Sequence, residues 1–127
     1  MFSHMMLGAN DLEASKKFYD AALGALGHKP GFVDPKGRVM YATRQGSFLL
    51  TTPINGEPAT HGNGSTLGFA ATCTEDVDKW FEAGKAAGGV PCEDPPGIRE
   101  GAGVKLYLAY LRDPSGNKVC AMHRVVD

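Results

Sequence analysis

Apolar residues recur along this chain in two rhythms. Leu12, Tyr19, Ala22, Leu23 and Leu26 fall at helical spacing, while Lys16, Lys17 and Asp20 point away from that stripe. This is the pattern of a helix with one face on a sheet, predicted over 12–26. Asn10 or Asp11 supplies its N-cap and Gly27 its stop. A second stripe, Val77, Trp80, Phe81 and Gly84, lies at i, i+3, i+4 and i+7. Here Thr74 is the expected N-cap, Glu75 and Asp76 favour the positive end of the helix dipole, and Gly88-Gly89 ends the helix near residue 87.

The other rhythm is that of short strands. The opening Phe2-Ser3-His4-Met5-Met6-Leu7-Gly8 reads as one, and Phe32-Val33 as a brief one between turns at Pro30, Pro35 and Gly37. Runs over 39–43 and 47–51 make a hairpin around Arg44-Gln45-Gly46. The segment 53–65 contains Gly56, Gly62, Gly64, Pro53 and Pro58 and reads as a linker. A strand over 66–72 precedes the second helix, and a short strand over 90–92 follows it. Next comes a Pro/Gly-rich loop over 94–103. Strands over 105–111 and 118–125 close the chain, joined by Asp113-Pro114-Ser115-Gly116, the residue order of a type I turn.

The two halves repeat. Shifting by 62 residues lays Lys17-Phe18-Tyr19-Asp20-Ala21 on Lys79-Trp80-Phe81-Glu82-Ala83 and Gly27 on Gly89, and matching the hairpin turns pairs Leu50 with Cys120. The fold class is therefore α+β, two βαβββ modules in tandem, within one domain over 1–127. The first module covers about 1–55, the linker about 53–65 and the second module about 65–127.

Composition narrows the classes. With 127 residues, 43% hydrophobic, one core is expected without help from disulfides. A formal charge of −1 provides no basic face, which argues against nucleic acid as a partner. Cys73, Cys92 and Cys120 are odd in number and widely spaced, pointing to a reducing compartment. No basic residue precedes the first apolar residues and no apolar run reaches membrane-span length, so a cytoplasmic protein with no membrane partner is expected.

The segments Asn10-Asp11-Leu12-Glu13-Ala14-Ser15 through Phe18-Tyr19 and Leu26-Gly27, with Tyr110-Leu111-Arg112-Asp113-Pro114-Ser115-Gly116-Asn117, carry a family resemblance. The chain resembles the vicinal oxygen chelate superfamily, which includes glyoxalases, bleomycin resistance proteins and extradiol dioxygenases. The resemblance implies that each module curls a mixed sheet, with its helix on the outer face, and that paired modules enclose a pocket. It implies four metal positions, matched here by His4, Thr66, Cys120 and Leu50. Leucine donates nothing and a threonine hydroxyl is a poor donor. The two positions where the family carries a carboxylate base hold Leu50 and Cys120.

Two functional expectations follow. In the first, the protein is a binder or divergent enzyme holding a small organic ligand in a mostly apolar pocket lined by His4, Met6, Leu50, Thr66, Gly68, Cys120 and Met122. Arg99 would reach over its mouth to pair with a ligand carboxylate or phosphate. In the second, His4 and Cys120 hold a divalent metal ion, completed by Tyr41, Tyr107, water or substrate, in a glyoxalase-like lyase or isomerase, or a dioxygenase. The resemblance also implies a homodimer. Surface roles are expected for His28, His61 and His123.

Overall fold

A computed structural model describes residues 1–126; Asp127, the last residue of the predicted second module, lies outside the described residues. The elements run β1 (His4–Gly8), α1 (Leu12–Ala25), β2 (Phe32–Val33), β3 (Val39–Thr43), β4 (Gly46–Thr51), β5 (Leu67–Ala70), α2 (Thr74–Ala86), β6 (Val90–Gly101), β7 (Val104–Arg112) and β8 (Lys118–Val125). They form two four-stranded mixed sheets, ordered β1-β4-β3-β2 and β5-β8-β7-β6. In each, the first strand of its half runs parallel to the last and the remaining pairs are antiparallel. The expected tandem βαβββ architecture is present.

The aromatic pairs that mark the repeat explain why the helices dock. Phe18, Tyr19, Trp80 and Phe81 are all buried, and they share a core with Val39, Tyr41, Phe48 and Leu50 from the first sheet and Ala109, Leu111, Val119 and Ala121 from the second. Each buried Val, Leu or Phe among them stabilises the fold by about 1.5–3 kcal/mol relative to exposure. Phe48 and Phe69, one from each sheet, meet edge to face with centroids 5.3 Å apart. The helix-covered faces of the two sheets thus converge on one interior, leaving each sheet a second, open face.

The turn Asp113-Pro114-Ser115-Gly116 forms as predicted, with Gly116 N donating to Asp113 O at 2.9 Å. Its side chains also join the halves. The Asp113 carboxylate, 3% exposed, accepts from Tyr19 Oη at 2.6 Å and, at 2.9 Å each, from Ser115 N, Asn117 N and Asn117 Nδ2. Asn117 Nδ2 reaches Gly8 O, and Asn10 N donates to Ser115 Oγ, each at 2.9 Å. A buried carboxylate with four donors needs no cation beside it. The family-like segments at the two ends of the chain therefore bond to one another across the fold.

Several local expectations change. Asp11 caps α1 through its side chain, but Cys73, which makes no side-chain capping bond, stands at the N-cap of α2, and Thr74 is the first helical residue. The left-handed stop of α2 is Gly88 (φ 106), matching Gly27 (φ 92), because the closing bond runs from Gly89 N to Gly84 O as His28 N closes on Leu23 O. Asp20 does not simply face outward: it accepts from Lys16 Nζ, Gly31 N and Tyr41 Oη. The strand predicted over 66–72 is shorter, Leu67–Ala70.

The largest change is β6. A short strand followed by a loop is instead one strand of 12 residues, paired with β7 at both ends and interrupted by a bulge between Cys92 and Gly97. Prolines and an irregular register hide such a strand from a period-2 search, because the bulge absorbs them.

Candidate ligand-binding site

Strand alternation and register decide what each open face displays. In the first sheet, Met5 and Leu7 pair with Phe48 and Leu50 on the helix-covered side, while Met6, Leu49 and Met40 form a row across the open side that continues to Phe32. The equivalent row in the second sheet, read through Gly68, is Gly68, Cys120, Tyr110 and Cys92. Beside it lies Ala70, Met122, Leu108 and Gly97. One open face is thus apolar in its central row, whereas the other carries thiols and a phenol.

This register corrects one predicted pocket residue. Leu50 is fully buried among the helix-facing core residues and lines no open face. Met6 pairs with Leu49 as Gly68 pairs with Cys120, so the structural counterpart of Cys120 is Leu49. The one-residue slip came from matching the two halves by their turns. The turn after β3 closes on Thr43 and Gly46, whereas that after β7 leaves Asp113 and Asn117 outside the ladder. A side chain moved by one position in a strand changes face.

The other predicted residues divide between places. His4, exposed at the start of β1, shares a 2.8 Å hydrogen bond between its Nδ1 and Ser3 Oγ. Met6 and Thr66 come together in a groove of about 250 Å³ between β1, the linker and the start of β8, which Met5, Ser65, His61 and Lys118 also line. Gly68, Cys120 and Met122 stand on the open face of the second sheet. A Cβ on Gly68 would come within 3.1 Å of Cys120 Sγ, so the glycine leaves room for the thiol. Tyr41 donates to Asp20 and Tyr107 to Asp78. Both lie on helix-covered faces, so neither completes a metal site on an open one.

Arg99 sits in β6 rather than at a loop tip. Its Nη1 donates to Pro95 O, Gly97 O and Leu108 O at 2.9–3.0 Å and its Nη2 to Asp94 O at 2.7 Å. The guanidinium binds the carbonyls of the bulge instead of reaching outward. It also lies over the Tyr110 ring, 5.8 Å from the centroid, and Lys118 Nζ approaches the same ring at 4.8 Å. Lys118 is paired with Glu93, a bulge residue held at φ 58.

Burial sets the electrostatics of this cluster. It pushes the Cys120 thiol up to about 11, with Lys118 pulling it down and Glu93 and Cys92 pushing it up. At neutral pH Cys120 is a neutral thiol and a poor nucleophile. Tyr110 is also raised, first by burial and then by Cys120 and Glu93. Lys118 is raised, chiefly by its bond to Glu93. Tyr110 and Lys118 were legible in principle: once Arg112 faces Lys118 across the turn, Tyr110 must face Cys120. Glu93 and Cys92 were not, because their position depends on the bulge.

The donor chemistry does not suit a divalent ion at the positions matched to the family's metal ligands. The positions hold His4, Thr66, Cys120 and Leu49, and among the described residues no three His, Cys, Asp or Glu side chains converge as a metal site. A sequence model of the glyoxalase/bleomycin resistance protein/dioxygenase superfamily matches residues 1–121. The chain belongs to that superfamily. It is 64% identical to a glyoxalase/bleomycin resistance protein from Albidiferax ferrireducens T118, whose crystal structure superposes with a TM-score of 0.94 over 98% of this chain and 99% of that one. A family enzyme from Burkholderia phytofirmans PsJN shares the fold at 21% identity and a TM-score of 0.72, covering 97% of this chain and 98% of that chain.

The curated relatives are more distant. A protein of Vibrio cholerae named "Probable lactoylglutathione lyase" is 26% identical over 117 residues, 89% of this chain and 83% of that protein. A Brassica oleracea relative is 25% identical over 119 residues, and the chain, matched over 91% of itself, spans only 41% of that longer protein.

Proposed function

We propose that the protein is a small-molecule-binding member of its superfamily, a binder or divergent enzyme, whose ligand sits on the open face of the second sheet. The row Gly68, Cys120, Tyr110 and Cys92 carries this reading: a phenol and two thiols, with Leu108 and Met122 beside them and the Lys118–Glu93 pair at one end. Mostly apolar walls with a few fixed polar groups suit an organic ligand. The partner is a second copy of the chain. Met6, Phe32 and Met122 leave apolar surface exposed on the open faces, and a homodimer would cover it. All three cysteines are free thiols, which fits the cytoplasm, and no helix among the described residues is long and apolar enough to cross a membrane.

A fragment screen read by amide chemical shifts tests the site. Hits should perturb Cys92, Tyr110, Lys118 and Cys120 together; hits confined to another face would overturn the assignment.

The likeness to the Vibrio cholerae protein supports a second reading, a metal-dependent lyase, isomerase or dioxygenase using His4 and Cys120. Those residues lie on the open faces of different sheets, so a site using both would be closed by a second copy. Elemental analysis after loading with divalent ions separates the readings. Stoichiometric metal lost in both His4→Ala and Cys120→Ala would favour the second, and background metal in the native protein would sink it.

A further inference from the structure

The open face of the second sheet is graded along its strands. On β7 the side chains on this face run Leu106, Leu108, Tyr110, Arg112, and opposite them on β8 stand Arg124, Met122, Cys120 and Lys118. Leu108 and Arg112 are separated by about 13 Å at the usual rise of a strand. Leu108 and Met122 therefore form an apolar middle, Arg112 and Lys118 a cationic end with Tyr110 and Cys120 before it, and Arg124 stands beside Leu106 at the far end. The cations that flank Tyr110 are not equally available. Arg112 Nη1 donates to Gly116 O at 3.0 Å, and Arg99 is committed to four bulge and strand carbonyls. Lys118 has a carboxylate partner, Glu93, and also lines the groove shared with Thr66, Ser65 and His61.

Glu93 is the more exposed half of that pair. It stands on the bulge, 45% exposed against 23% for Lys118, in a left-handed conformation that a side chain other than glycine rarely adopts. The bulge backbone beneath it is fixed by Arg99. Only the side chain must swing for the Lys118 ammonium to become free.

We propose that this face takes a small organic acid, whose carboxylate displaces Glu93 from Lys118 and whose apolar body lies past Tyr110 and Cys120 toward Leu108 and Met122. The proposal rests on the reading of this face as the ligand site and adds the ligand's chemical class. Glu93 acts in it as a counter-ion that keeps Lys118 in place when no acid is bound.

Octanoate and 1-octanol, equal in carbon number and differing in charge, are the probes, titrated into the full chain with amide shifts as the readout. Octanoate should bind at this face about tenfold more tightly than octanol, the worth of one charge-assisted hydrogen bond. Lys118→Met should erase that preference without weakening octanol, and Glu93→Gln should tighten octanoate by freeing Lys118. Equal binding of the two probes, or a preference that survives Lys118→Met, overturns the organic-acid proposal while the site itself stands. Binding of neither probe at this face overturns both. Should Lys118→Met fail to fold, Glu93→Gln decides: tighter octanoate supports the proposal, and unchanged or weaker octanoate refutes it.

Discussion

Tyr19 and Asp113 tie the two halves of the molecule together, since their 2.6 Å hydrogen bond joins a buried helix side chain to the turn between the last two strands. Replacing Asp113 by alanine strands Tyr19 Oη in the interior and leaves Asn117 Nδ2 with Gly8 O as its one remaining acceptor, and denaturant unfolding should show a loss of about 3 kcal/mol or more. Tyr19→Phe removes one donor and should cost about 1–2 kcal/mol, less than additively with the first change, because both break the same bond. Burial, and then Asp113, hold the Tyr19 phenol well above its ordinary range. The folded state therefore keeps that proton when the unfolded chain releases it, so this contribution to stability is full below about pH 10 and declines as pH rises further. Cys120 gives a separate test. Buried and raised to about 11, it should react with iodoacetamide more slowly than the half-buried Cys73 and Cys92, as peptide mass spectrometry would measure. At this scale the sequence identified Cys120 and Gly68 as neighbours on one face, but misassigned Leu50. Composition and period are identical for Leu49 and Leu50, and only the register of β4 against β1 tells which one faces the helices.

At the scale of elements, β6 is where sequence reading stopped and packing took over. Two prolines, two glycines and a charged run over 93–101 suggest a loop, yet backbone pairing with β7 resumes at Gly97 because Arg99 gathers the carbonyls of the intervening residues. Arg99→Lys keeps the charge but loses the planar fork. It should expose the amides of 92–98 to faster hydrogen exchange while those of β8 stay protected. The α1 side of the fold has a comparable tie. Asp20 joins the helix to Gly31 and to Tyr41 of β3; burial alone would raise its pKa, but the bonds from Lys16, Gly31 and Tyr41 together hold it below the ordinary value. Between the folded and unfolded values the unfolded chain binds more protons. The Asp20 contribution is thus complete above about pH 4 and is lost as pH falls through the folded value. Asp20→Asn should flatten the acid limb of the stability profile, whereas a charge change at the exposed Glu82 should leave it in place.

For the whole molecule, the arrangement of the two sheets matters more than either sheet alone. Their helix-covered faces share one core, so the open faces are not folded onto one another within the chain, and sedimentation should report a homodimer that Met6→Arg weakens by charging the apolar row of the first sheet. The sequence by itself determined the doubled βαβββ order, the two amphipathic helices and the hairpin turn at Asp113. These depend on local periodicity and turn chemistry, which a chain carries in its own spacing. Tertiary structure decided which strand residues face outward, where the β6 bulge places Glu93 and Arg99, and that His4 and Cys120 stand on different sheets. Those facts depend on register and on contacts between residues far apart in the chain. The ligand chemistry proposed around Tyr110, Lys118 and Cys120 accordingly rests on a register that only the folded chain displays.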